Sequence, residues 1–97
     1  MHLFLFGYRR GVDFARLPKV WLHINALGHL SVWVDGKRLA NAGVHLDSVA
    51  NHFFVRVPMR LLGGEDLDYL FTSTRAHLRE IAPDDTAWRL LSLQPKS

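Results

Sequence analysis

The sequence predicts an α+β fold: an antiparallel β-meander of about four to five strands packed on one long amphipathic helix, about residues 65–82. Two observations predict the sheet. Val20, Leu22 and Ile24 alternate with Trp21, His23 and Asn25, and Leu30, Val32 and Val34 alternate with Ser31, Trp33 and Asp35. Period-two alternation of β-branched and aromatic residues marks half-buried strands. Turn chemistry closes each run, Ala26-Leu27-Gly28 after the first and Asp35-Gly36 after the second. A third observation predicts the helix. Leu67, Leu70, Phe71, Thr74, Leu78 and Ile81 recur at spacings of three and four between Gly63-Gly64 and Pro83, which draws one apolar stripe.

Taken in order, His2 to Phe6 is apolar on both faces and reads as a central strand or a buried edge. Gly7 to Leu17 reads as a link carrying the basic pair Arg9-Arg10. In the meander, a three-residue loop ending on Gly28 pairs Asn25 with His29. Ile24 then faces Leu30, Leu22 faces Val32 and Val20 faces Val34, with Trp21 opposite Trp33 and His23 opposite Ser31. A two-residue loop would shift the register and break the aliphatic face. Asp35-Gly36 is a type I′ signal that pairs Val34 with Lys37, Trp33 with Arg38 and Val32 with Leu39. Residues 41–52 are ambiguous, with Asp47 placed to cap a single helical turn through Asn51. Phe53 to Val57 is a strand ended by Pro58. Glu65, Asp66 and Asp68 suit the first turn of the long helix, and Arg75 and Arg79 its last turns. Residues 84–94 fit either a short helix capped by Asp84 or Asp85 or a closing strand; the scarcity of β-branched residues, Thr86 alone, tips the reading to helix.

Ninety-seven residues make one domain. With 48% hydrophobic and 22% charged residues, wholesale disorder is excluded. No cysteine is present, which excludes disulfides, zinc–thiolate sites and thiol chemistry. The opening apolar run Leu3–Phe6 is too short for a signal segment or a membrane span. A cytoplasmic protein without membrane partners is expected. Residues 1–60 carry eight basic against three acidic residues, and residues 61–97 carry four against six. The sheet half is therefore the basic one, suited to an anionic partner or to a second copy.

Most of the chemistry that histidine, serine and glycine suggest here is discounted. His45, Asp47 and His52 form the tightest histidine cluster, yet no HExxH or HxH spacing is present, so no metal is expected. His23 opposite Ser31 lacks a nucleophile elbow and an orienting acid. Gly63-Gly64 precedes Glu65 and Asp66, which repel phosphate. No cofactor and no catalytic residue is assigned.

What remains is the face opposite the aliphatic one. It carries Trp21, Trp33 and Arg38 as a cross-strand ladder, His23 and Ser31 beside them and Lys19 at the end. Arg9, Arg10 and Lys37 are candidate anion contacts nearby. Tryptophan is usually largely buried, so the face is expected to be covered by a loop, a helix or a second copy. The alternative is an exposed platform. The function expected is a small non-enzymatic interaction module that binds a protein (an adaptor, inhibitor or regulator) or itself. The alternative is a single-stranded nucleic-acid binder stacking bases on the Trp/Arg face.

Overall fold

Alternation runs through almost the whole chain, well beyond the meander. The structure, a computed structural model, describes residues 1–40, 42–50, 52–64, 67–81 and 88–94. Among these residues nine strands form. β1 (His2–Tyr8), β2 (Lys19–Ile24), β3 (Leu30–Val34), β4 (Lys37–Leu39) and β7 (Tyr69–Thr74) make one antiparallel sheet in the order β4-β3-β2-β1-β7. β5 (His45–Val49), β6 (His52–Pro58), β8 (His77–Ile81) and β9 (Trp88–Gln94) make a second in the order β5-β6-β9-β8. Short 3₁₀ turns lie at Phe14–Arg16 and Met59–Leu62.

The two sheets share one core. Leu3, Leu5, Val20, Leu22, Ile24 and Val32 from the first meet Val55, Val57, Leu91 and Leu93 from the second. Met59, Leu61 and Leu62 from the second 3₁₀ turn belong to the same cluster. This is a β-sandwich, and each sheet keeps one face outside it.

The meander has the register its turns dictate. Asn25 N–H donates to the His29 carbonyl at 3.0 Å, and the Asn25 side-chain oxygen accepts from the amides of Leu27 and His29. Asp35 and Gly36 both have positive φ, 51° and 79°, as a type I′ turn requires. Trp21 sits opposite Trp33 and Trp33 opposite Arg38.

The α+β expectation is overturned: among the described residues no helix of seven or more residues is present, and no long amphipathic helix packs on the meander. Tyr69–Thr74 is the edge strand of the first sheet and His77–Ile81 the edge strand of the second, joined across Arg75-Ala76. The physical reason lies in residue type. Tyr, Phe and two Thr within six residues favour a pleated surface over a helix. The apolar stripe divides: Leu70 and Leu78 pack on the core, while Phe71 stands on the outside. Residues 88–94 are also a strand, the inner β9, since burial of Leu91 and Leu93 between β6 and β8 outweighs their weak strand preference. The helical turn from Asp47 is replaced by β5, which is followed by Ala50 with φ 47°. β1 is central but buried on one face only: Leu3 and Leu5 are inside, His2 and Phe4 outside. Asn51, Glu65, Asp66, Pro83, Asp84 and Asp85 lie outside the described residues.

Arg9 ties the end of β1 to the turn below the sandwich. Its guanidinium donates to the carbonyls of Leu62 at 2.7 Å and Gly64 at 2.9 Å. It lies so close to Gly63 that a Cβ there would stand 2.8 Å from Nη1, and Gly63 has φ 91°. Arg9→Met is expected to cost about 1.5–3 kcal/mol, since hydrogen bonds from a charged donor would be lost. Thermal unfolding should show a drop of about 4–8 °C per kcal/mol; an unchanged melting temperature would mean the tie carries no stability.

Candidate binding face

The outward face of the five-stranded sheet is built by register. One row runs across all five strands as Arg38, Trp33, Trp21, Phe4 and Ser73. A second runs Lys19, Phe6 and Phe71, a third pairs Tyr8 with Tyr69, and a fourth runs Ser31, His23 and His2. Among the described residues, no outward position of these strands is acidic. Among the described residues no loop or helix covers the face. Trp21, Trp33, Phe6 and Tyr8 are half-buried, Phe4 and Phe71 are about half exposed at 49% and 48%, and Tyr69 is 60% exposed.

The rings screen one another. Trp21 lies 4.9 Å from Trp33 and 5.8 Å from Phe4, the latter pair tilted by only 10°. Phe6 and Phe71 stack at 5.1 Å and 10°, and His2 and His23 at 4.4 Å and 13°. Rings that lay flat on the sheet would be coplanar and would overlap at such separations. Near-parallel rings this close must stand upright on the sheet, faces turned to each other and edges to solvent. Arg38 closes one end of the row, with its guanidinium carbon 5.8 Å from the Trp33 ring centre.

Of the residues singled out from the sequence, Trp21, Trp33, Arg38, His23 and Lys19 share this face. Lys19 is partly committed: its ammonium donates to the Phe14 carbonyl and sits 4.2 Å from the Phe14 ring centre. Arg9 is engaged by the turn carbonyls. Arg10 and Lys37 are exposed, Lys37 opposite Val34 rather than in the aromatic rows. The sequence reading missed His2, Phe4, Phe6, Tyr8, Tyr69 and Phe71. Phe4, Phe6 and Tyr8 do alternate with Leu3, Leu5 and Gly7, which is the signal that could have found half of them.

His2 gives the face a pH dependence. Its imidazole titrates below the ordinary 6.5, first through desolvation, then through repulsion by His23 and by the terminal ammonium. Its Nδ1 also accepts a hydrogen bond from Trp21 Nε1 at 3.2 Å, which requires that nitrogen unprotonated. Because the folded value is lowered, the unfolded chain takes the proton first. Stability is therefore full above the ordinary value, falls as pH drops through it, and levels off below the folded value. The melting temperature should fall from about pH 7.5 to about pH 5.5, and by less in His2→Asn. An identical fall in the variant would remove His2 from the account.

His23 lies opposite Ser31, as the register predicts, but the serine–histidine hydrogen bond is elsewhere. His23 stacks on His2, whereas His52 Nε2 meets Ser92 Oγ on the outer face of the second sheet. His52 also stacks on Phe54 at 4.7 Å. Ser92 is buried at 8% exposure, and among the described residues no carboxylate holds the other His52 nitrogen. The contact satisfies a buried hydroxyl. The contact depends on β9 being a strand, which sets Ser92 opposite Phe54. Among the described residues no group of three His, Cys, Asp or Glu side chains converges on a metal position, and no helix is long and apolar enough to cross a membrane.

No protein-family model, curated protein or solved structure matches the chain. Function is therefore read from the geometry of the face.

Proposed function

We propose that this protein is a non-enzymatic interaction module of the cytoplasm, binding a protein partner through the outer face of its five-stranded sheet. The observation that carries the reading is the row of upright rings from Trp33 through Trp21 to Phe4, left half-exposed with no acidic residue at the outward strand positions, Asp35 lying in the turn beside Lys19. An apolar surface of this kind suits another flat surface, and its cationic ends at Arg38 and Lys19 suit a partner rimmed with carboxylates. Bases stack on ring faces, and here the faces within the row are taken by neighbouring rings, with one face of Phe4 left beside Ser73. That favours the protein reading over single-stranded nucleic acid. A cysteine-free chain needs no oxidising compartment.

A photoreactive phenylalanine analogue at position 4, introduced in the source cells, is expected to form a protein adduct that Trp33→Ser removes. The same analogue at position 79, on the other sheet, is expected to form none. Saturable quenching of tryptophan fluorescence by a single-stranded oligonucleotide, weakening steeply with salt, would replace this reading with the nucleic-acid one.

A further inference from the structure

Among the described residues, one edge of the five-stranded sheet is left unprotected. Edge strands invite pairing with another chain and are ordinarily blunted by charge, proline or shortness. Three of the four edges follow that rule. β4 is three residues long and holds Lys37 and Arg38, β5 holds Asp47, and β8 holds Arg79 and Glu80. β7 is six residues long and contains neither charge nor proline, and Tyr69 and Phe71 on it are exposed.

We propose that β7 pairs with β7 of a second copy, antiparallel and two-fold, joining the two five-stranded sheets into one. The occupant follows from self-complementarity. A two-fold pairing that keeps outward residues beside outward ones and uses most of the strand is centred on Phe71. It places Phe71 opposite its own copy, continuing the Phe6–Phe71 stack across the interface. It places each Tyr69 opposite Ser73, the smallest outward residue of the strand. A hollow of about 480 Å³ lies there, lined by His2, Phe4, Ser73, Thr74 and Arg75 among others. Phe4 stacks on Trp21 on one side and has only Ser73 on the other, so a tyrosine leaning over Ser73 meets a ring. One step further out, Asp68 falls opposite Thr74, which brings Asp68 of one copy beside the exposed Arg75 of the other, twice over; one Asp68 oxygen accepts from the Arg10 amide at 2.6 Å, which leaves its other oxygen for the guanidinium. The knob and hole, and the charges, match a second copy in this register. The edge contact is small beside a standard interface of about 1,600 Å², so the dimer forms with rising concentration. It leaves the aromatic faces open and stands independently of partner binding.

Sedimentation velocity over a concentration series is expected to show a one-chain to two-chain transition. Because the chain has no cysteine, Phe71→Cys should oxidise to an interchain disulfide, while Thr72→Cys, also exposed but set opposite Leu70 rather than its own copy, should do so far less. Arg75→Glu should weaken association by at least about tenfold, and Asp68→Arg added to it should restore the dimer. A one-chain mass at every concentration, equal cross-linking at positions 71 and 72, or no rescue by the double charge exchange would each overturn the proposal.

Discussion

Replacing Leu91 by alanine is expected to destabilise the protein by about 2–5 kcal/mol, the range for emptying a leucine site in a packed core. Leu91 is 0% exposed. It lies on β9, an inner strand flanked by β6 and β8, opposite Val55 and Glu80. Domains of this size hold about 5–15 kcal/mol in all, so the change removes a large share of what keeps the sandwich together. At about 4–8 °C per kcal/mol, the melting temperature should fall by upwards of about 10 °C. The control is the next residue. Leu90 is the same side chain, but it is only half-buried, opposite Arg56 and Ile81 on the outer side of the sheet. Leu90→Ala should cost well under half as much. Equal losses at 90 and 91 would contradict a two-faced strand and reopen the helical reading of this segment.

That segment and Tyr69–Thr74 are where sequence reasoning failed, and they fail for one reason. The meander from Lys19 to Leu39 was legible because its determinants are local. Gly28 and Asp35-Gly36 fix the turns, the turns fix the register, and the register puts Trp21, Trp33 and Arg38 on one face. β7 pairs instead with β1, Leu3 opposite Thr74, far away in sequence. Nothing near Tyr69 announces that partner, whereas spacings of three and four among Leu67, Leu70, Phe71 and Thr74 imitate a helix. In the sandwich the same residues divide between the core and the outside, because Leu70 and Phe71 are neighbours on a strand and so point opposite ways. Misreading β7 hid Tyr69 and Phe71, two of the six residues missed. Tyr69 and Phe71 complete the aromatic face only once β7 lies beside β1, and Phe4, Phe6 and Tyr8 join it only once β1 has an outside. Leu3-Phe4-Leu5-Phe6 is apolar throughout, so hydropathy cannot say which alternate set is buried; the choice is made by the second sheet, which covers the leucines.

The opposite balance of effects is expected on the aromatic face. Trp21→Ala should lower partner affinity by about 30- to 1,000-fold, corresponding to about 2–4 kcal/mol, as for a ring at the centre of an interface. Its cost to the fold should be only about 1–2 kcal/mol, from stacking lost to Trp33 and Phe4 and from the hydrogen bond to His2. The position is chosen by register: Trp21 has ring neighbours on both sides of its row, so a partner lying across the sheet covers it first. Arg38 is at the end of that row and exposed. Arg38→Gln should change affinity modestly and act mainly through the salt dependence of association. The pair of variants separates the two kinds of partner. With a protein partner, loss concentrates at Trp21 and the salt response stays shallow. With a nucleic acid, Arg38→Gln would reduce the salt slope by about one phosphate contact while weakening all sequences alike. Full binding by a folded Trp21→Ala protein would rule out this face as the site, whatever the partner, because no partner can lie across the row without covering its central ring.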